Sequence, residues 1–477
     1  MPLKLGACSN GEVPPVAPSP VVAEAVRRAW EACDATARRL GMSRRAFLQS
    51  SMASAVTLLA LNACSSESRT DGEPSAGSFA VPTTATTEPE AAEEALGGDG
   101  SPVVDVQQHL LEFDHIEPTG DRFFGSGFPQ AACGEDDPRE CFSIERWYDE
   151  VFLRSDTTVV VLSAIPVVGQ PDPLSAEVMA RARRMAADLC GDDRVLVQGH
   201  AQPNVGAIGA ALDAMREEAE RFELSAWKAY THAGPGWRLD DGDASGAQVG
   251  EAFLGLVEEI GPPIVAVHKG LAGGNAWASP ADIGPAAAAH PGLSFVAYHS
   301  GFEAGVAEGP FDPANPNGGV DRLVVSLADA GIGPGSNVYA ELGSTWRTVM
   351  GDPDRAAHVL GKLLLAVGED NLLWGTDSIW YGSPQDQIQA FRAFEISVEA
   401  QERFGYPALT PEVKAKVLGG NAASLHGIDP AGIPCRVERT DLTAYRTEVP
   451  TPNRTYGPTT LAGARATFAA EHPWFFV

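Results

Sequence analysis

A chain of 477 residues with a formal net charge of -29 is a poor candidate for binding nucleic acid or an anionic membrane surface, because both would repel it. Its length fits one large domain, two to three small ones, or a single α/β barrel of about 250 residues with extra segments. The acidity otherwise indicates a well-solvated surface.

Residues 1–64 have the pattern of a leader followed by an export signal. The paired arginines Arg44 and Arg45 precede an apolar run over 52–63, which is too short to span a bilayer and suits a signal-peptide core. This pattern resembles a twin-arginine export signal, so we predict export by that route to the cell envelope or the extracellular space. The alternative is an N-terminal helix that packs on the domain.

The sequence Leu-Asn-Ala-Cys that ends at Cys64 resembles a lipoprotein cleavage box, although asparagine is unusual inside it. We expect membrane contact only through a lipid anchor on Cys64. Export signals seldom follow a leader as long as residues 1–41. The hypothesis is therefore that Met42 is the true start, or that this leader is disordered.

Residues 65–101 consist mainly of Ser, Thr, Ala, Glu, Pro and Gly, with almost no large apolar side chain. Such a segment buries too little surface to offset its chain entropy, so we predict a disordered tether. Beyond it, Cys133 and Cys141 could form a disulfide across a short loop in an exported protein.

From residue 102 onward, short apolar runs alternate with amphipathic stretches. Eight such alternations predict a closed parallel (β/α)8 barrel over 102–428, with an open doubly wound sheet as the runner-up. No Gly-rich phosphate fingerprint follows any of the runs, which disfavours nucleotide binding. The predicted strands are 103–106, 158–164, 194–200, 226–230, 263–268, 293–299, 337–342 and 371–377.

Polar side chains recur where these strands end, which is the edge at which such barrels carry their chemistry. A single histidine at a strand end is usually a hydrogen-bonded structural residue, whereas several that converge on one rim indicate a site. The residues in question are Gln107, His109, His200, Lys228, Tyr230, His232, His268, His299 and Asp377.

Four stretches carry a resemblance to a known family. They are PIVAVHKG, HPGLSFVAYHSG, NLLWGTDSIWYG and KAKVLGGNAASLHGI, and they resemble successive signatures of the amidohydrolase superfamily. The resemblance spans about 102–428 and is nearest to the aminocarboxymuconate-semialdehyde decarboxylase-like branch. It implies a (β/α)8 barrel with one divalent metal, usually zinc and sometimes manganese.

Carried over residue by residue, the resemblance gives each rim residue a role. It makes Gln107, His109, His268 and Asp377 the metal ligands, with Asp377 also handling protons, and it makes His299 the residue that polarises or protonates substrate. Imidazoles and a carboxylate suit zinc, and a metal with an open position lowers the pKa of water to about 7.

Gln107 departs from the family pattern, which has histidine at that position. An amide oxygen is a weaker zinc ligand than an imidazole nitrogen. Gln107 could bind metal weakly or through water, the site could prefer a harder metal such as manganese, or it could be metal-free.

Other residues near the strand ends are candidates for contact with substrate. Lys228 would be a charge or ion-pair partner, Arg347 could hold a carboxylate, and aromatic side chains could line the pocket, although they could equally serve packing. The substrate-binding candidates are His200, Lys228, His232, Arg347 and Trp380.

We therefore predict an exported enzyme that hydrolyses a small organic substrate with one metal. The alternatives are non-oxidative decarboxylation at the same site and a non-catalytic binding protein on a degenerate barrel. Residues 429–477 form an extension with an aromatic end that we expect to dock on the barrel or on a second subunit, so a homo-oligomer is a further expectation.

Overall fold

A closed barrel of eight parallel strands forms the centre of the molecule. The computed structural model describes residues 2–7, 14–69, 74–98, 100–114, 116, 123, 125–167, 172–190, 193–242, 248–433 and 460–471. The strands are β1 Val103–Gln108, β2 Thr157–Leu162, β3 Val195–Ala201, β4 Ala226–Tyr230, β5 Ile264–His268, β6 Ser294–Tyr298, β7 Val338–Glu341 and β8 Leu372–Leu373. The predicted (β/α)8 barrel is confirmed, and each predicted strand overlaps an observed one.

The strands follow chain order around the sheet, and the chain after β8 closes it against β1. Val106 N–H donates to Trp374 O at 3.1 Å, and Asp377 N–H donates to Gln107 O at 3.0 Å. Closure pairs the two edges of the sheet. It also brings Asp377, which follows β8, beside Gln107 at the end of β1.

Apolar side chains fill the inside of the barrel, as expected for strands that are covered on both faces. Val104, Val106, Ala266, Val296 and Tyr298 belong to this inner cluster and are nearly inaccessible to solvent. The barrel therefore has a packed interior, and its polar chemistry is confined to the rim.

Helices surround the barrel and pack on the outer faces of the strands. The α-helices are Pro20–Arg39, Arg44–Leu48, Ser51–Glu67, Pro89–Leu96, Ile144–Tyr148, Ala176–Cys190, Ile208–Arg221, Val249–Ile260, Ile283–Ala289, Asp321–Asp329, Thr345–Val349, Pro353–Val367, Gln385–Ala393, Val398–Phe404, Pro411–Ala415, Asn421–His426 and Leu461–Glu471. Among the described residues, no helix is both long and apolar enough to cross a membrane.

The N-terminal helices pack on the barrel domain. Ser51–Glu67 is apolar on all sides and lies against the Pro20–Arg39 helix on one side and barrel helices on another. The Ser54 hydroxyl donates to Gln389 Oε1 at 2.8 Å, and Cys64 is buried. This arrangement is the packed-helix alternative to an export signal. Export and lipid anchoring stay predictions.

The predicted disordered tether is wrong for the described part of 65–101. Gly77–Phe79 forms a two-stranded antiparallel sheet with Phe394–Ile396, and Pro89–Leu96 is a helix. Composition alone misses this order, because the stabilising partners lie far away in sequence. Residues 434–459 and 472–477, which include the aromatic end of the predicted C-terminal extension, lie outside the described residues.

Asn62 ties the N-terminal helix to this small sheet. Its side-chain oxygen accepts from Phe79 N–H at 2.9 Å, and its side-chain nitrogen donates to Phe79 O at 2.7 Å. We expect Asn62→Ala to lower the free energy of unfolding by about 1–3 kcal/mol, because both backbone groups lose their partner. Denaturant unfolding measures this, with exposed Ser66→Ala in the same helix as the matched control. Equal stability of the two variants would contradict the packing.

Cys133 and Cys141 form the disulfide that the sequence allowed. They lie between β1 and β2, in a segment whose aromatic side chains pack near the barrel mouth. Cross-linking this loop limits its conformations in the unfolded chain. The bond therefore helps to fix the aromatic wall beside the rim.

Candidate active site

Five polar residues meet at the C-terminal rim of the barrel: Gln107, His109, His268, His299 and Asp377, here called the rim cluster. Each is at most 3 % exposed, so bulk water is excluded from all of them. They follow four different strands, and the closed sheet brings them together. The sequence-based assignment of these five to one site is thus reproduced geometrically.

A register shift in β1 aims its last side chains at the rim. The pairing with β2 slips between Asp105 and Gln108, where the strand carries an irregularity. Such bulges redirect side chains at barrel rims. Asp105 supports the shift, because its carboxylate accepts from Gln107 N–H at 3.1 Å and from the Gln108 side chain at 2.6 Å. Gln107 and His109 thereby both reach Asp377.

Asp377 is the centre of the rim cluster. Its Oδ1 atom lies 3.1 Å from His109 Nε2 and accepts a hydrogen bond of 3.1 Å from Gln107 Nε2. Its Oδ2 atom accepts from the Ser344 hydroxyl at 2.5 Å. Burial alone would raise the pKa of Asp377, but the hydrogen bond from His109 and the nearby His299 outweigh it and lower this pKa. Asp377 is therefore a carboxylate.

The tautomers of two histidines follow from their backbone contacts. His268 Nε2 lies 2.9 Å from Gly270 O, and His299 Nδ1 lies 2.7 Å from Gly343 O. Because a carbonyl oxygen only accepts, each of these nitrogens carries the proton of its ring. The other two nitrogens, His268 Nδ1 and His299 Nε2, are 3.2 Å apart. The lone pairs of these two nitrogens therefore point toward each other.

Both rings are neutral at ordinary pH. Burial is the main cause that lowers the pKa of His299 to about 4, and burial also lowers the pKa of His268 well below its usual value. A neutral ring has one N–H, and here it is already donated to a carbonyl. The ring protons of His268 and His299 therefore point away from the space between His268 Nδ1 and His299 Nε2.

Gln107 contributes its amide nitrogen to the cluster. Nε2 lies 3.1 Å from Asp377 Oδ1 and 3.5 Å from His299 Nε2, and both of these atoms are acceptors. Because both neighbouring atoms are acceptors, the NH2 end of the Gln107 amide must be the end that points toward them. In the part of the chain that the structure describes, the buried amide oxygen has no hydrogen-bond partner. Gln107 thus acts as a donor where the family pattern has a ligand.

Backbone strain is concentrated in the same place. His299, Ser344 and Asp377 have φ values of 63°, 54° and 58°, in the left-handed region that residues with side chains seldom occupy. Each such residue costs roughly 1–3 kcal/mol and persists only where its surroundings enforce it. The clustering of three of them at the rim indicates that function holds them there.

Three of the predicted substrate contacts lie next to the cluster. The Trp380 ring stacks on His109 with centroids 4.9 Å apart, and the His232 ring lies 4.6 Å from that of His268. Lys228 is fully buried, and its ammonium lies 3.5 Å from the centroid of the Tyr298 ring. A cation over an aromatic face is stabilised there.

The structure does not bring His200 into the rim cluster. Its Nδ1 atom lies 3.4 Å from Asp172 Oδ2, and its Nε2 atom lies 3.0 Å from Gln202 Nε2. Its backbone N–H donates to Glu218 at 3.3 Å. These partners lie outside the rim cluster, and contact of His200 with substrate stays a prediction.

Glu218 makes stability depend on pH. Burial is the main cause that raises its pKa from 4.5 to about 7. Between these two pH values the folded state keeps a proton that the unfolded state loses, so stability falls as pH rises through this window. The free energy of unfolding of Glu218→Gln minus that of the wild type should rise by about 1–2 kcal/mol between pH 4.5 and pH 8. Denaturant melts at both pH values measure it. Exposed Glu217→Gln is the control, and parallel curves for both variants would contradict this assignment.

Arg347 and Tyr381 form the outer part of the site. The guanidinium of Arg347 lies 4.9 Å from the centroid of the Tyr381 ring, and the Tyr381 hydroxyl is 2.7 Å from Ser344 Oγ. Since Ser344 donates to Asp377, a hydrogen-bonded path runs from the rim cluster to these residues. Arg347 is therefore placed for the predicted substrate contact.

Sequence reasoning missed Glu341 and Ser344. Glu341 is fully buried, and its carboxyl accepts from His299 N–H at 3.0 Å and from Gly343 N–H at 2.5 Å. Burial is the main cause that raises its pKa to about 8. The signal was available, because Glu341 ends the seventh strand in the same way that the histidines end theirs.

The donor set fits a divalent metal by its chemistry. His268 and His299 direct two lone pairs at one space, and His109 and Asp377 place an imidazole nitrogen and a carboxylate oxygen side by side. Such nitrogen and oxygen donors are those of catalytic zinc sites. In the described part of the chain, no three His, Cys, Asp or Glu side chains are grouped to hold a metal ion as they stand. They bond to one another and to Gln107.

Comparison with solved structures finds similar proteins at low identity. An uncharacterised TIM-barrel protein from Bordetella bronchiseptica is 15 % identical, with a TM-score of 0.43, and covers 69 % of this chain and 99 % of its own. A 2,6-dihydroxybenzoate decarboxylase from Rhizobium is 13 % identical, with a TM-score of 0.40 and coverages of 69 % and 99 %. A 5-carboxyvanillate decarboxylase from Novosphingobium aromaticivorans, crystallised with manganese, is 12 % identical, with a TM-score of 0.41 and coverages of 70 % and 98 %.

These identities and TM-scores are too low to bear on the reaction. No curated protein matches the sequence. The sequence profile of the amidohydrolase family matches residues 104–428, which is more than half of the chain and includes the whole rim cluster. The predicted superfamily is therefore confirmed, and this chain belongs to the amidohydrolase family.

Proposed function

We propose that this enzyme hydrolyses a small organic substrate at the rim cluster, with one divalent metal held by His109, His268 and Asp377. Members of the family use a divalent metal. When bound, the metal would supply Lewis acidity and lower the pKa of a water molecule to about 7. The nitrogen-rich donors favour zinc over manganese.

The observation that carries this proposal is the pair of lone pairs on His268 Nδ1 and His299 Nε2, 3.2 Å apart in a buried site. Two acceptors so close together repel each other unless a positive group lies near them. The backbone carbonyls of Gly270 and Gly343 hold both rings in this arrangement. The chain therefore maintains an arrangement that a cation would stabilise.

The protein residues divide the proton transfers between them. Asp377, held as a carboxylate, accepts a proton from the attacking water and later delivers it to the leaving group. Ser344 and Tyr381 connect its Oδ2 atom to the outer pocket, and the hydrogen bond from Ser344 holds the carboxylate in place for these transfers. His299 presents a lone pair through Nε2, so it accepts a hydrogen bond from the water and orients it.

The low exposure of the cluster adds to this chemistry. Trp380 covers His109 by stacking, and the Phe128 ring packs on Trp380 with centroids 4.4 Å apart. Exclusion of bulk water strengthens the electrostatic interactions of Asp377 and the histidines. Substrate then meets the proton-transfer groups in a site that is shielded from bulk water.

The experiment that tests the reaction type uses a panel of small esters, amides and aromatic acids with the zinc-loaded full chain. Hydrolysis predicts that one atom of oxygen-18 from labelled water enters the product and that no CO2 is released. Release of CO2 without label in the product would replace hydrolysis by decarboxylation. Absence of both with the zinc-loaded and the manganese-loaded protein would contradict catalysis at this site.

Export is a proposal that competes with the packed N-terminal region, because cleavage before Cys64 would remove that region. It rests on the paired arginines Arg44 and Arg45 and on the apolar run that follows. Cell fractionation of the full chain and of a variant with Lys at both positions tests it, since twin-arginine export should fail in the variant. Equal distribution of both chains would contradict export by this route.

A further inference from the structure

A cavity of about 240 Å³ lies between the N-terminal segment and the rim of the barrel. We call it the antechamber. Its N-terminal wall includes Leu5, Val16 and Val22. On the barrel side, the lining includes Ser344 and Tyr381, which are hydrogen-bonded to each other. Ser344 also donates a hydrogen bond to Asp377. The antechamber is therefore one hydrogen-bonded step from the proton-transfer carboxylate.

The N-terminal wall is anchored to the barrel. Leu3 is fully buried, and Lys4 N–H donates to Asp386 Oδ2 at 2.9 Å. The Lys4 ammonium donates to Tyr381 O at 2.9 Å and to Ser383 O at 2.5 Å. Because Tyr381 also lines the cavity, the segment is attached at the edge of the site that it covers.

Two guanidinium groups face this cavity. Arg347 and Arg355 both line it, together with one carboxylate, that of Asp352. Asp352 is exposed, and its side chain accepts the Arg355 backbone N–H at 3.2 Å, as a helix cap. The cavity therefore has a positive wall, in contrast to a chain with a net charge of -29.

Arg355 is held in place by hydrogen bonds to neutral groups, and the carboxylates that interact with its charge are those of Glu308 and Asp352. Its Nη2 atom donates to Val306 O at 2.8 Å and to Ala304 O at 3.4 Å. Its Nε atom is buried and has no hydrogen-bond partner among the described residues. The guanidinium lies 5.0 Å from the centroid of the Phe302 ring. Carbonyls and an aromatic face fix its orientation, so the guanidinium offers a positioned positive charge to an anion in the cavity.

We propose that the antechamber admits and selects organic anions, with Arg347 and Arg355 binding the carboxylate and the N-terminal residues forming the apolar wall. This inference rests on the proposed function, because it names the substrate class of the same site. Arg355 and the N-terminal wall are the new elements. A carboxylate held between the two arginines would leave the rest of the substrate pointing along Ser344 toward Asp377.

The first test measures binding by calorimetry on the metal-free full chain, with benzoate and its neutral isostere benzamide as probes. We expect benzoate to bind at least about tenfold more tightly than benzamide, from charge-assisted hydrogen bonds. Arg347→Gln and Arg355→Gln should each remove most of that preference, whereas Arg347→Lys should keep part of it. Arg216→Gln, which breaks an exposed pair with Glu259, is the control.

The second test places charge on the N-terminal wall without disturbing the core. Val16 is 53 % exposed and lines the antechamber. At low salt, Val16→Glu should weaken benzoate binding severalfold and Val16→Lys should strengthen it, with benzamide unchanged. Leu40, 37 % exposed in the same N-terminal region, gives the matched control pair Leu40→Glu and Leu40→Lys, which should have no effect.

Equal affinity for benzoate and benzamide, or arginine variants that keep the wild-type preference while their melting curves stay unchanged, would overturn the anion site. Identical results for the Val16 and Leu40 charge pairs would overturn the N-terminal wall. Metal and turnover are not needed for either measurement. A failure of hydrolysis would therefore leave these results standing, and a failure here would leave the metal-dependent reaction standing.

Discussion

Replacing Asp377 with Asn is expected to lower turnover by about 10³-fold or more, because the amide cannot accept a proton from the nucleophile. The carboxylate also accepts from Gln107 and Ser344 and lies beside His109, and the substitution replaces one of its two acceptor oxygens with a donor NH2 group. Steady-state kinetics on the metal-loaded full chain measures the loss.

The control for this change is Asp329→Asn, which alters an exposed carboxylate at the end of the Asp321–Asp329 helix, outside the antechamber. It should keep turnover within about threefold, since surface substitutions seldom act on chemistry. Thermal unfolding separates loss of function from loss of fold. An Asp377→Asn enzyme that turns over at the wild-type rate would remove the proton-transfer role assigned to this residue.

Gln107→His is expected to tighten zinc binding by about 10–100-fold. An imidazole nitrogen is a better zinc ligand than an amide, and second-shell changes at metal sites have effects of this size. In the wild type, the Gln107 amide donates to Asp377 Oδ1 and points toward His299 Nε2, so zinc must displace these contacts. Competition with a zinc-binding dye on the metal-free full chain measures the affinity.

A matched variant, Gln107→Met, separates the two causes of that change. Methionine removes the competing amide hydrogen bonds without adding an imidazole, and it has nearly the same length. We expect its zinc affinity to lie between that of the wild type and that of Gln107→His. Weaker zinc binding in the histidine variant than in the wild type would show that the amide supports the metal site.

The barrel could be predicted from sequence because its signal is local and repeated. Each strand is a short apolar run, such as Ile264–His268, and buried parallel strands give such runs. The rim cluster followed from the same pattern, since the residue after an apolar run faces the mouth. His268, His299 and Asp377 were found in this way, without knowledge of any contact.

The N-terminal region could not be predicted because its order depends on distant partners. Asp354 accepts from Arg69 and from Ala76 N–H, across nearly three hundred positions of sequence, and Gly77–Phe79 pairs with Phe394–Ile396. Small residues such as Ala92 become fully buried there, although they carry little hydrophobic signal. Amino-acid composition reports only side chains, whereas hydrogen bonds of backbone groups, such as the Ala76 N–H, also stabilise these segments.

The polar partners behind the cluster were equally hidden. Which nitrogen of His299 carries the proton depends on Gly343 O, and the orientation of the Gln107 amide depends on Asp377 and His299. Arg355 lies in the Pro353–Val367 helix, and nothing in the sequence of that helix indicates that this side chain lines a cavity. These contacts arise from loop geometry after the strands, which the residue pattern does not encode.

The most direct test of the central claim is the metal content of the full chain, measured by elemental analysis after purification and again after loading with zinc. We predict one ion per chain, bound through His109, His268 and Asp377, and loss of that ion in a His268→Ala variant that remains folded. A wild-type chain that holds no zinc or manganese after loading would contradict a metal-dependent site, as would a His268→Ala variant that retains a full equivalent.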